Sequence, residues 1–216
     1  RSLVEYQNGY TMTLASGLNR RADKHVIDAL IGTAQTAAVT PGSGVITYST
    51  QAMLGAHQIG AATAMDLARI INANELLSKK GVPNDGKRAF LYSPGQLRDL
   101  LAITQASSSD FTKNQIHDVG TINGVMWQGF TWYEIADVIQ DDASTVLQRM
   151  LPVPSYRQCI AFPPAAVGLS VGKEIQTQMD YRPDLQSRPL QIRASMMMAS
   201  VRVWEGGVVE VRALEN

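Results

Sequence analysis

The chain has little cysteine and no excess of positive charge. Cys159 is the only cysteine among 216 residues, so neither an internal disulfide nor a zinc site built from several thiolates is possible. Nineteen Lys and Arg residues balance nineteen Asp and Glu residues. Dedicated nucleic-acid binders usually carry a basic excess that attracts phosphate, so the neutral balance argues against that class of function.

Long apolar runs and charged residues are also scarce. No stretch of about 18 apolar residues occurs, so no transmembrane span is predicted. Charged residues make up 18% of the chain, below the quarter or so that is usual in globular domains. A low charge fraction with zero net charge favours association, although an ordinary soluble enzyme with a modest surface also fits. Arg1 is neither an initiator methionine nor followed by a signal segment, so we expect the chain to be part of a longer one.

Three helices are predicted in the first half of the chain. Apolar residues recur at three- and four-residue spacing over residues 10–31, and Gly32 is a plausible stop. A second helix is predicted over about 63–81, where Thr63 and Asp66 resemble a capping box. The third begins after Ser93, because serine, proline and glutamine follow one another in the order of a capped helix start.

Strands dominate the predictions for the rest of the chain. Residues 35–60 read as irregular, apart from a short strand at 45–48, and residues 88–92, 126–135 and 160–162 read as further strands. Apolar residues alternate over 190–198 and then change parity, which predicts a bulge at Ala199 and Ser200. The pair Gly206 and Gly207 between two apolar runs predicts a two-residue hairpin.

Ser170 is the best candidate for a catalytic residue. It stands in a G-x-S-x-G string from Gly168 to Gly172, the pattern of a hydrolase nucleophile elbow. An elbow serine needs a histidine later in the chain, and all three histidines precede it. The surrounding sequence also reads as strand rather than as a strand-to-helix turn. We therefore interpret the two glycines as a bend between short strands and predict no catalytic residue.

No cofactor or metal site is predicted either. The three histidines (His25, His57 and His117) form no H-x-x-x-H or H-E-x-x-H pair. The acidic pairs Asp141–Asp142 and Asp180–Asp184 have turn-like surroundings, which favours solvated turn residues. The densest basic patch lies on the first helix, where a solvated face and a contact with a neighbouring subunit are equally good interpretations. Its residues are Arg20, Arg21, Lys24 and His25.

An ordered series of motifs resembles the major capsid proteins of tailed bacteriophages that have the Hong Kong 97 fold. The first is an R-x-D helix that runs from Arg21 into an I-D-A-L-x-G-T-A ending at Ala34. The predicted 63–81 helix resembles the spine helix of the family, and the strand and helix of 88–101 resemble the entry to its axial domain. Later landmarks follow in family order: Asp110-Phe111, Gly120–Ile122, Gly129-Phe130, Ala165–Leu169, Val201–Val203 and Val208-Val209.

The resemblance implies a mixed α+β fold with two domains. A peripheral domain (1–87) would hold the spine helix and an elongated antiparallel sheet. An axial domain (88–189) would consist of a central sheet flanked by helices, and residues 190–216 would supply return strands and a closing hairpin. The N-terminal arm and extended loop of the family would precede Arg1, and no crosslinking residues are assigned.

By the same resemblance, the function is structural. The chain would assemble with itself into hexamers and pentamers of an icosahedral head in the host cytoplasm and remain part of the virion. Scaffold, portal and decoration proteins would be partners, whereas double-stranded DNA would be touched only weakly and no membrane would be bound. Two alternatives stay open: an encapsulin-like compartment of similar fold, and a serine hydrolase that uses Ser170.

Overall fold

The computed structural model describes residues 3–39, 46–51, 55–60, 63–102, 122–135, 157–182, 184, 186 and 190–214. Within these ranges the chain forms three α-helices and ten strands. In chain order they are α1 (Leu3–Ile31), β1 (Ala34–Val39), β2 (Ile46–Gln51), β3 (Gln58–Ile59), α2 (Leu67–Lys79), β4 (Ala89–Tyr92), α3 (Pro94–Leu101), β5 (Met126–Trp127), β6 (Phe130–Glu134), β7 (Arg157–Phe162), β8 (Val167–Tyr181), β9 (Leu190–Arg202) and β10 (Val209–Ala213).

A six-stranded mixed sheet forms the centre of the fold, in the order β3-β10-β7-β4-β6-β5. The strands β4 and β7 are buried along their whole length, as expected for central strands covered on both faces. One face packs with α2 and α3 around Phe90, Trp132 and Ile70. The other face packs against the last turns of α1, where Leu30 contacts a cluster that includes Ile160.

The two remaining sheets are two-stranded antiparallel ribbons. The longer ribbon pairs β8 with β9 and contacts α1 along much of its length. The shorter ribbon pairs β1 with β2. The sequence pattern predicts only the second of these two strands, because Ala, Gln and Thr in β1 give no apolar alternation.

Two predicted helix boundaries agree with the structure and two differ, since α1 begins at Leu3 instead of residue 10 and α2 begins later than predicted. The end of α1 at Gly32 and the start of α3 after Ser93 are confirmed, and Gln96 Oε1 accepts the Ser93 backbone N–H at 3.2 Å. The capping box at Thr63 is wrong. Asp66 is itself the N-cap of α2 and accepts the Arg69 backbone N–H at 2.9 Å, so the helix begins at Leu67.

The aromatic strand predicted over 126–135 is divided by a tight turn into β5 and β6. Gln128 and Gly129 both have positive φ, 52° and 82°, which is the geometry of a two-residue hairpin turn. A Cβ on Gly129 would come within 2.9 Å of Asn74 Nδ2, so the close approach also requires glycine. The turn therefore rests directly on α2.

Two strand predictions near the C-terminus are wrong. Pairing of β9 with β8 continues without interruption through Ala199 and Ser200, and the register shifts lie instead in β8, around Lys173. Gly206 and Gly207 form part of a 3-10 turn, and the strands on either side belong to different sheets. A Cβ on Gly207 would meet the Trp204 ring and Ala166 at 3.1–3.2 Å, so this glycine permits close packing rather than a hairpin.

The domain boundaries proposed from the sequence stay a prediction. The β8–β9 ribbon joins residues on both sides of the boundary at 189. The elongated ribbon contacts the 29-residue α1, whereas the 13-residue α2 packs with the central sheet.

Candidate assembly surface

The helix α1 and the β8–β9 ribbon are held together by buried polar contacts. Arg202 is buried at the end of β9 and donates from Nη1 to the carbonyl oxygens of Leu30 and Gly32, each at 2.8 Å. Two residues earlier in β9, Ser200 Oγ donates to the His25 carbonyl oxygen at 2.6 Å. The two contacts of Arg202 lie at the C-terminal end of α1, where carbonyl groups have no intrahelical N–H partner.

A salt bridge fixes the arginine itself. Arg202 Nε lies 2.6 Å from Glu205 Oε2, and the arginine side chain is 1% exposed. A buried guanidinium is tolerated only when its charge has a partner, and here the Glu205 carboxylate balances the charge while the carbonyls at the end of α1 accept hydrogen bonds from Nη1. The orientation of the ribbon relative to α1 is therefore fixed where both elements meet the central sheet.

Large exposed apolar side chains concentrate on this helix–ribbon unit. The described residues include thirteen of them, of which only Ile71, Met126 and Tyr133 lie elsewhere. The other ten fall into three groups. They are Tyr10, Met12 and Leu14 on α1; Leu169, Val171, Met179 and Tyr181 on β8; and Met197, Val201 and Val203 on or just after β9.

Met197, Val201 and Val203 form a surface that we call the outer face of the ribbon. Most odd-numbered positions of β9 are exposed, and the pattern continues into Val203: Met197 is 66% exposed, Val201 49% and Val203 67%, while Arg202 between the last two is buried. The parity change in the sequence thus marks a move of the apolar side chains to the exposed face, not a bulge. An apolar surface of this kind on a strand pair is typical of a protein–protein contact.

Small residues of β8 lie opposite the outer face and leave room for its valine side chains. Gly168 is paired with Val201 and Ser170 with Ala199, and a Cβ on Gly168 would lie 3.1 Å from Val203 Cγ2. The G-x-S-x-G string is therefore a strand segment. Ser170 is exposed within β8 and not at a strand-to-helix turn, and the predicted bend between short strands is wrong.

The other chemical candidates are scattered. His57 is buried, with Nδ1 3.0 Å from the Val208 carbonyl oxygen, while His25 lies on α1 and His117 lies outside the described residues. In the described part of the chain, no three His, Cys, Asp or Glu side chains form a group that could hold a metal ion. No helix there is both long and apolar enough to cross a membrane.

The residues of the acidic pairs and those of the basic patch likewise do not form a common site in the part of the chain that the structure describes. Asp141 and Asp142 lie outside the described residues. Asp184 accepts hydrogen bonds from Arg182, and this contact lowers the pKa of the Asp184 carboxyl. In the basic patch, Arg20 and Arg21 are exposed, whereas Lys24 is buried and lies 3.9 Å from Asp28. The patch is thus not a single basic surface.

Known proteins were compared with the chain at the level of family, sequence and structure. A family model described as phage capsid protein matches residues 2–215. No curated protein sequence matches.

Three solved structures from phages share the fold. The chain from Mycobacterium phage Che8 is 18% identical with a TM-score of 0.63, and the match covers 97% of this chain and 63% of that one. The capsid of cyanophage P-SCSP1u is 15% identical (TM-score 0.62), with 97% and 66% coverage. The mature capsid of bacteriophage PhiM1 is 13% identical (TM-score 0.60), with 98% and 65% coverage.

The chain thus spans slightly less than two thirds of the length of these phage proteins. The similarity confirms the predicted mixed α+β fold of the Hong Kong 97 type. Because the family model matches nearly every residue, the chain belongs to the phage capsid protein family.

Proposed function

We propose that the chain is the body of a major capsid subunit that assembles with itself into hexamers and pentamers of an icosahedral phage head. The observation that carries the proposal is the concentration of exposed apolar side chains on α1 and the β8–β9 ribbon. Burying such side chains between copies contributes roughly 25 cal/mol per Å² of apolar area. Several interfaces per copy, each of about 1,600 Å², would then stabilise a closed shell.

The observed contacts support a revised division into domains. Helix α1 would serve as the spine of the peripheral domain, because it is the longest described helix and contacts the elongated ribbon. The six-stranded sheet with α2 and α3 would form the axial domain. The buried Arg202 would then hold the two domains in a fixed relation, since it lies where α1, the ribbon and the turn before β10 meet.

The interior of the head would hold double-stranded DNA by weak contacts only. The formal net charge of zero supports this, because a strongly basic wall would bind phosphate and oppose both packaging and release. Scaffold, portal and decoration proteins would be further partners, and assembly would take place in the host cytoplasm. The subunit would act without catalysis, cofactor or metal. Neither an encapsulin-like compartment nor a hydrolase using Ser170 has a separate observation in its favour.

Electron microscopy of the purified full-length protein tests the proposal. Uniform closed shells are the expected result, and dispersed monomers at all concentrations would contradict it. The proposal of weak DNA contacts is tested by filling shells with DNA and washing them at increasing salt concentration. DNA retention that falls steeply with salt concentration would count against a wall that binds phosphate weakly.

A further inference from the structure

In the described part of the chain, the β1–β2 ribbon has little support from other helices and strands. Its two strands pair with each other over six residues each, and no other described helix or strand packs extensively against them. An isolated two-stranded ribbon is at best marginally stable in water. Residues 34–51 contain no charged side chain, so nothing in this segment opposes its transfer into a protein interface.

The strand β8 offers the complementary feature, a free edge. Among the described strands it pairs only with β9, so its other backbone edge has no partner strand. The six residues from Gln176 to Tyr181 are all exposed and follow the last register shift, so this stretch is regular. It presents Met179 and Tyr181, which are 40% and 64% exposed. Proteins usually shorten, twist or charge such an edge, because it is a template for another strand.

We propose that the β1–β2 ribbon of one copy adds to the Gln176–Tyr181 edge of a second copy and forms a four-stranded sheet across the subunit boundary. The lengths agree, since six residues of ribbon strand and six residues of free edge each span about 20 Å. Backbone hydrogen bonds would give the affinity, and Met179 and Tyr181 would lose their exposed apolar area.

Charge also favours this partner. The edge segment carries one charged side chain, Asp180, and the ribbon carries none, so pairing them brings no like charges together. A second copy is the occupant to which the family points, because capsid chains are packed against copies of themselves. The inference therefore rests on the proposed assembly function and names one of its contacts.

Cysteine crosslinking between differently tagged copies tests the contact. The only native cysteine, Cys159, is buried, so introduced cysteines dominate the chemistry. One full-length copy carries Thr36→Cys or Thr50→Cys, on β1 or β2 respectively, and a mass tag. The second copy carries Gln178→Cys and no tag. The two are assembled together, the shells are isolated, and oxidation is followed by non-reducing electrophoresis.

The expected result is a tagged–untagged dimer with at least one of the two ribbon variants. The control is a tagged copy with Glu75→Cys, whose side chain on α2 is 55% exposed, and it should give only background. Intact shells without a dimer above that background would overturn the contact while leaving the assembly proposal standing. Failure of untagged, unmodified protein to form shells would overturn both.

Discussion

The guanidinium of Arg202 lies 2.8 Å from the carbonyl oxygen of Leu30, although 172 residues separate them in sequence. Leu30 is fully buried in the cluster that joins α1 to the central sheet, and Arg202 ends the long strand β9. This single contact thus connects the end of the long helix to the end of the ribbon.

Replacing Arg202 with methionine should destabilise the subunit by about 3 kcal/mol, because two helix carbonyls and the Glu205 carboxylate lose their donor. Urea denaturation of the unassembled subunit measures the free energy of unfolding. Arg193→Met is the matched control. Arg193 lies on the same strand but is exposed, so its loss should change the free energy by less than about 0.5 kcal/mol. Equal effects of the two substitutions would contradict the assigned role of Arg202.

Local signals in the sequence predicted the helix ends well. Gly32, Ser93 and Pro94 act through backbone geometry and capping within one turn, so their effect can be read without knowing the fold. Thr63 misled because its position is set by contacts with a distant strand, β10, through Arg69. Arg69 Nη1 donates to the carbonyl oxygens of both Thr63 and Arg212 at 2.7 Å, and the second of these comes from a strand 143 residues away.

The exposed face of the β8–β9 ribbon could not be predicted from local signals of this kind. The apolar set of β9 changes parity near Ala199, and a change of face and a bulge give the same sequence pattern. Only the position of α1 tells which side of the ribbon is covered. The spine helix at 63–81 likewise stays a prediction from resemblance, because the capping of that segment is local, whereas packing against the elongated ribbon is not.

Ser170→Ala should leave both assembly and stability unchanged. Ser170 is exposed within β8, opposite Ala199, and every histidine lies before it in the chain. Hydrolysis of a small chromogenic ester by wild-type and variant protein gives the functional comparison. Any weak hydrolysis should be equal in the two proteins. A burst of product in the wild type that disappears in the variant would restore the hydrolase alternative.

Asp184 should titrate at a lower pH than an ordinary aspartate. Arg182 donates a hydrogen bond to the Asp184 carboxylate from Nε at 3.0 Å, which stabilises the charged form and lowers its pKa. The pair is therefore fully formed above the ordinary aspartate pKa and is lost as the pH falls through the lowered value. Arg182→Gln should move the pKa of Asp184 back upwards, as followed by carboxyl carbon NMR on the unassembled subunit. An unchanged titration would show that the pair does not form in solution.

Val201→Asp should abolish shell formation without unfolding the subunit. Val201 is 49% exposed on the outer face of the ribbon, so a carboxylate there meets water in the free subunit and costs less than about 0.5 kcal/mol. In a dry interface between copies the same charge would be desolvated without a partner, which costs several kcal/mol per ion. That cost is repeated at every copy of a symmetric shell, so a small local change should have an all-or-none effect on assembly.

Gln191→Lys is the matched control for this variant. Gln191 is exposed on the same strand, ten residues before Val201, and is paired with Asp180 of β8, so an added charge of opposite sign is accepted there and should disturb assembly far less. Urea denaturation should give both variants close to the wild-type free energy of unfolding, and electron microscopy should show shells for Gln191→Lys alone. Shells formed equally well by Val201→Asp would mean that the outer face is not an interface. The next candidates for contacts between copies would then be α1 and β8, where the other exposed apolar side chains of the helix–ribbon unit are found.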